Sequence, residues 1–298
     1  MDLGLVAIAG SALLAIALLA WAVARVSRRA REMHGEAMGL LDHLRELRYR
    51  ALASLGAITA ASVALFSFDV RRARLAGYEV WAPVPTVMES LASRGLDWIL
   101  THALPDTVDV VVIQPSEAIM AQFQASLVGA LAIAAPFVAY QVAAFLAPAL
   151  HPEERRAVAW ILPIALLLFL AGMAFALWLM VPLTLQTLYQ YAEPIGANPL
   201  AQPQEIVTFV LFTTLLFGLA FETPLVMAGL SRSGLVSPDA MGAHWRGVVV
   251  GVLVLAAVVT DPNPITQLLV GVPLVVLYFA GLGLAKLLWR EPSTPAPP

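Results

Sequence analysis

With 298 residues, 60% of them hydrophobic and only 12% charged, the chain is too apolar for an ordinary soluble domain and is read as solvated by lipid. The absence of cysteine excludes disulfide frameworks, thiolate metal sites, cysteine nucleophiles and c-type haem attachment, and the five histidines lack ligand spacing, so no metal or cofactor is expected. A formal charge of -3, with basic residues in short groups and no extended stripe, excludes a nucleic-acid footprint.

A helix that crosses a hydrocarbon core of ~30 Å needs about 20 apolar residues. Seven runs qualify or come close: Leu3 to Val26, Ala51 to Phe68, Ala118 to Leu150, Ala157 to Leu188, Ile206 to Leu230, Gly247 to Thr260, and Ile265 to Leu288. None alternates with a period of two, so the fold class is all-α, a polytopic helical membrane bundle and not a barrel. The first run has Met1-Asp2 before it and Arg25, Arg28, Arg29 and Arg31 after it, the reverse of a cleaved signal peptide, and reads as a retained helix at 1–27 with its amino terminus outside. The third and fourth runs exceed a minimal span, and Pro136 and Pro163 are placed to kink them. The sixth is short, about 21 Å of helix. With alternating spans, thirteen of the seventeen basic residues fall inside and four outside, which puts the carboxyl terminus in the cytoplasm of a cell (inner) membrane protein. The exterior segment from Asp69 to Glu117 is the longest polar stretch, and the Pro-rich tail at 289–298 is expected to be disordered.

The segment at 28–50, which precedes the membrane core at 51–288, ends in "LLDHLRELRYR", Leu40 to Arg50. Leu40, Leu41, Leu44 and Leu47 follow helical spacing, so an amphipathic helix is expected along the inner surface before the chain turns into the membrane at Ala51. Glu46 then forms a local ion pair with Arg50, worth ~0.2–0.5 kcal/mol, or presents its carboxylate to a guanidinium ligand in a two-bond fork. The next inside loop, "FLAPALHPEERR" from Phe145 to Arg156, carries a second carboxylate at Glu154 that faces the same compartment. It also suits the start of a helix, where acids meet the dipole favourably. Glu222 is the acid set well inside an expected span; such residues face a bundle interior or water and mark function, or else bond a hydroxyl such as that of Thr213 or Thr214.

Five pieces in order, "HLRELRYR" at His43, "PSEA" at Pro115, "APFVAYQVAAFLAPALHPEERR" from Ala135, "FETP" at Phe221 and "TDPNPITQ" at Thr260, resemble TatC, the multi-span subunit of the twin-arginine protein translocase, over roughly Leu40 to Leu284. The resemblance implies a curved arrangement of six helices with both termini inside and the last two helices short. It implies recognition of signal peptides that carry adjacent arginines, and Sec-independent movement of folded cargo across the membrane. The signal-peptide contacts fall on Glu46 and Glu154, with Arg48, Arg50, Phe145, Arg155 and Arg156 shaping the same surface. Glu222 is the family's intramembrane acid, and Thr260 and Gln267 match positions that meet the single-span partners TatA and TatB. Membrane lipids and further copies of the chain in a larger complex complete the implied partners. The sequence departs from the family in its first helix, which makes seven spans, and in the last outer turn, where Asn263 replaces an acid and Asp261 supplies one earlier.

Other classes fit less well. A proton-coupled secondary transporter using Glu222 is the alternative, but the two halves show no paired hydropathy repeat. An enzyme is not expected: no histidine lies inside a run to serve as base, and HExxH does not occur. A retinal protein would need a mid-span lysine, and the single lysine, Lys286, stands at a helix end.

Overall fold

The computed structural model describes residues 40–75, 78–146, 152–191, 199–260 and 263–289, with backbone alone at 40–42, 73–75, 78–82, 146 and 152–159. The expected first span, the segment before Leu40, Asp261 and the tail after Trp289 lie outside the described residues. The chain forms two compact units, one reaching to Leu100 with Val112–Leu170, the other made of Thr101–Val111 with the chain from Ala171 onward.

The first unit begins with helix α1, Leu40–Ser67. The expected turn at Ala51 does not occur: α1 runs unbroken for 28 residues from the charged motif into the apolar span, since no proline or other breaker separates them. It packs against α3, Glu117–Leu146, through small and polar groups. Ser62 and Ser126 share a buried hydroxyl bond of 2.6 Å. At Gly129 a Cβ would stand 2.8 Å from Leu65 Cδ1, so glycine is what permits this approach. Helix α4, Pro152–Phe175, follows. Both α3 and α4 continue through Pro136 and Pro163, the positions expected to kink them.

Between α1 and α3 the long polar segment is folded into two strands and a helix. Strands β1, Phe68–Leu75, and β2, Tyr78–Pro85, pair antiparallel with Asp69 opposite Val84 and Val70 opposite Pro83, and a proline is tolerated in such a two-stranded ribbon because each strand has a free edge. Helix α2, Leu91–Ala103, comes next. Asp69 is fully buried, and its Oδ2 accepts from Arg71 Nε and from Arg94 Nη2, the latter at 2.7 Å. Arg71 also reaches Glu89. These bonds, that to Asp69 first, raise the Arg71 pKa above its ordinary range, so the guanidinium stays charged at neutral pH and the stability it contributes is lost only as pH rises through that raised value. Gln122 at the start of α3 donates to Ser90 Oγ at 2.9 Å and ties the assembly down.

The second unit holds the remaining helices. After α4 the backbone widens into a π turn, Ala176–Met180, before α5, Val181–Tyr189. Pro182, at the start of α5, explains the position: it has no N–H for the carbonyl four residues back, and the Val181 N–H instead reaches Ala176 O. A two-residue parallel bridge joins β3, Asp109–Val110, to β4, Leu200–Ala201. Helix α6, Pro203–Ala220, breaks before α7, Thr223–Arg232. The short α8, Pro238–Ala243, precedes α9, Trp245–Val259, and α10, Pro264–Leu288.

Counting α4 with α5 and α6 with α7 as single spans, the described residues contain five helices long enough to cross a membrane and the shorter α9. Two short final helices were implied; α9 at 15 residues fits, but α10 at 25 residues is of full length. Glycines set the tightest contacts in this unit. A Cβ at Gly172 would lie 2.4 Å from Phe217 O, and one at Gly281 would lie 2.8 Å from Met227 Sδ. Around them Ala176, Met180, Phe217, Ala256, Val270 and Leu274 form a buried apolar cluster.

Asp69→Ala is expected to cost about 1–3 kcal/mol, because the hairpin loses a buried acceptor while its half-exposed arginine partners regain water. Thermal unfolding in detergent and protease sensitivity at β1 and β2 measure it; an unchanged midpoint and cleavage rate would remove Asp69 as the organiser of this segment.

Candidate functional site

The N-terminal end of α1 carries the charged motif, and helical spacing puts Glu46 and Arg50 on one face four residues apart. Arg50 is buried and donates to Glu46 Oε1 from Nε at 2.9 Å and from Nη2 at 2.5 Å. Its Nη1 donates to Gln141 Oε1 of α3 at 3.2 Å. Both Arg50 bonds to Glu46 go to one oxygen; the other, Oε2, is buried and has no hydrogen-bond partner among the described residues. One turn earlier His43 stacks on Phe145, ring centroids 4.4 Å apart and planes within 18°. The motif of α1 and the end of α3 therefore form one polar and aromatic seam made of His43, Glu46, Arg50, Gln141 and Phe145.

The other expected residues distribute unevenly about this seam. Arg48 is exposed and lies about 200° round the helix from Glu46, so α1 does not bring it to the pair. Glu154, Arg155 and Arg156 occupy the first turn of α4, where a carboxylate meets the positive end of the helix dipole. Their side chains lie outside the described residues.

A separate polar position lies in the second unit. Glu222 stands at the break between α6 and α7 and is partly exposed. Its N–H bonds Leu219 O at 3.1 Å in a tightened turn, and Pro224 at the start of α7 withholds the N–H that Ala220 O would otherwise receive. The alternative partners Thr213 and Thr214 do not bond it: both hydroxyls are buried without a hydrogen-bond partner among the described residues. Eight residues of helix separate Glu222 from Thr214 by about 12 Å, beyond the reach of two short side chains.

In the turn between α9 and α10 Thr260 Oγ1 donates to Ala256 O at 2.9 Å and closes α9. Gln267 Nε2 donates to Leu253 O at 2.8 Å and clips α10 to α9. Asn263 caps α10, its Oδ1 accepting from Ile265 N at 2.9 Å. Among the described residues no cluster of three or more histidine, aspartate or glutamate side chains is grouped to hold a metal.

These pieces can now be compared with known proteins. A family model described as Sec-independent protein translocase protein (TatC) matches residues 42–273, which include every motif above. The chain belongs to the TatC family. The TatC protein of Cenarchaeum symbiosum is 33% identical over 246 residues, covering 82% of this chain and 93% of that protein. The chloroplastic TATC of Arabidopsis thaliana is 34% identical over 256 residues, 85% of this chain and 68% of that protein. A crystal structure described as the twin arginine translocase receptor TatC superposes with a TM-score of 0.69 at 28% identity, covering 83% of this chain and 100% of that one. The fold is thus a TatC-like six-helix membrane core, and the protein is a multi-pass membrane component of a protein translocase.

Within that TatC core, sequence reasoning missed His43 and Gln141 as site residues. Gln141 had a signal, an amide deep in an apolar run whose other two amides, Gln122 and Gln124, stand near its start, but its partner is 91 residues away. Gln141→Leu leaves Arg50 Nη1 without its acceptor on α3 and is expected to lower stability by about 1–3 kcal/mol, read as a shift of the thermal midpoint in detergent. No shift would mean that Arg50 is held by Glu46 alone.

Proposed function

We propose that this chain is the receptor for twin-arginine signal peptides in a Sec-independent translocase of the cell membrane, and that Glu46 and Glu154 grip the arginine pair at its cytoplasmic face. The observation that carries this reading is the half-used carboxylate of Glu46, clasped by Arg50 through Oε1 and unpartnered at Oε2 among the described residues. A buried carboxylate oxygen without a donor is costly, which leaves it ready to accept one. A modest rotation of the carboxyl brings Oε2 outward, where an incoming guanidinium can form charge-assisted bonds while Arg50 keeps its own. Arginine suits this role better than lysine, since its planar fork matches carboxylate geometry. Glu154, in the first turn of α4, supplies the second negative group, with Arg155 and Arg156 beside it in sequence.

Phe145, held flat on His43, serves in this reading as a rigid wall of the same surface. Arg48, on the opposite side of α1, is assigned to the membrane surface or to the body of the leader. Cargo passes folded, the carboxyl terminus is cytoplasmic, and the single-span partners TatA and TatB are assigned to the region of Thr260 and Gln267. Family membership leaves no support for proton-coupled secondary transport through Glu222, which is assigned a step after leader binding.

Glu46→Ala and Glu154→Ala are each expected to weaken leader binding about 10- to 100-fold, the equivalent of one lost charge-assisted contact of ~1.5–3 kcal/mol, and to stop export of a folded reporter while leaving the protein inserted. Photocrosslinking from positions 46 and 154 to Arg-Arg and Lys-Lys leaders is the direct check; equal labelling by both leaders, or full export by the double variant, overturns the assignment. Glu222→Gln is expected to keep leader crosslinking and lose export. Loss of the crosslink itself would instead make Glu222 part of the receptor.

A further inference from the structure

We propose that the apolar segment Leu3 to Val26 of this chain docks as an antiparallel helix into the open groove of α1, on the side turned away from α3. The groove is lined by Leu52, Gly56, Ala60, Val63, Ala64 and Phe68, all exposed. It lies opposite the face that carries Arg50 and Ser62, which is taken up by α3. Only 6% of the α1 span is buried, against 33% to 50% for the other four long spans, so α1 is the least covered of them.

The shape of the groove points to a helix and not to lipid. Gly56, Ala60 and Ala64 recur every four residues along it. Such a stripe lets another helix backbone approach closely and gain dispersion contacts that acyl chains fill poorly. A Cβ built at Gly56 meets nothing within 4 Å, so nothing in the described structure occupies the notch.

Length, order and pattern select the occupant. Between Val26 and Leu40 lie residues 27–39, a tether whose typical end-to-end distance, about 20 Å as a coil, exceeds the 8–10 Å between packed helix axes. Successive spans alternate in direction, so a span that ends inside before α1 begins must run antiparallel to it. The segment carries its own stripe at the same spacing, Ala7, Ser11 and Ala15. Antiparallel pairing sets Ala7 against Ala64, Ser11 against Ala60 and Ala15 against Gly56, and the same register brings Leu3 level with Phe68 at the outer end. A short tether also gives this segment an effective concentration in the millimolar range, which favours it over the same segment of a second copy.

The absence of native cysteine makes the test direct. In full-length protein in its membrane, Ser11→Cys with Ala60→Cys is expected to give an intrachain disulfide on oxidation, whereas Ser11→Cys with Ser62→Cys, on the α3 side, gives at least tenfold less. Adding Gly56→Leu, which touches nothing else in the described fold, should reduce the first crosslink at least tenfold. Ala7→Cys with Ala64→Cys tests the same register if the first pair fails to insert. A crosslink only between copies, equal linkage at Ser62, or no linkage in either pair overturns the proposal.

Discussion

A guanidinium that leaves water at the membrane surface must satisfy its donors inside the protein, and Arg50 does so by spanning two helices. Glu46 on its own helix supplies charge, and Gln141 on α3 supplies a neutral acceptor. Neither partner would suffice alone. An exposed pair at this spacing is worth a few tenths of a kcal/mol, but a buried arginine stripped of an acceptor carries a penalty several times larger. The seam between α1 and α3 is therefore defined by polar satisfaction at the N-terminal end of α1, where Arg50 bonds both helices, and by the serine pair and Gly129 further along. Because Arg50 uses one carboxylate oxygen twice, it holds Glu46 in place without exhausting it.

The exterior segment solves the same problem with the signs reversed. Asp69 is fully buried, and two arginines converge on one of its oxygens while the other stays unpartnered among the described residues. An acid near the N-terminal end of α1 and another immediately beyond its C-terminal end thus bracket the helix, each anchored by arginine. Between them the face turned from α3 has no polar contacts with the rest of the described structure apart from a bond within the helix, Thr59 to Leu55 O. The helix is fixed at its ends and along one side, which is how a span with so little buried surface keeps its position.

The run boundaries were legible because hydrocarbon thickness sets them: all six apolar runs from Ala51 onward became helices within a few residues of their expected ends or continued into a charged extension. Local chemistry was less reliable. Pro136 and Pro163 stay within continuous helices, whereas Pro182 and Pro224 sit at interruptions; a proline's sequence does not say whether its neighbours can absorb the missing bond. The β1–β2 ribbon was hidden because its pairing is organised by Asp69, whose partner Arg94 is 25 residues away. Glu46 and Glu222 were visible as charges out of place, but His43 and Gln141 take their roles from contacts made only once α1 and α3 meet. Thr260, Asn263 and Gln267 were legible as polar residues in a turn, and their hydrogen bonds show them closing α9 and opening α10.

That last turn also separates two meanings of a polar residue in a membrane protein. Thr59, Thr187, Thr208 and Thr260 return their hydroxyls to the carbonyl four residues earlier, which satisfies them at little cost and leaves no demand for a partner. Thr184, Thr213 and Thr214 do not, although all three are buried. A helix can always offer threonine this local acceptor, so a hydroxyl that forgoes it is held in another rotamer by its packing. In the second unit such hydroxyls flank the π turn and precede the Glu222 break, the two places where proline has already removed a backbone donor. Thr184 thus stands two residues after Pro182, and Thr213 and Thr214 lie about three turns before Pro224, whereas α1 and α3 run without interruption.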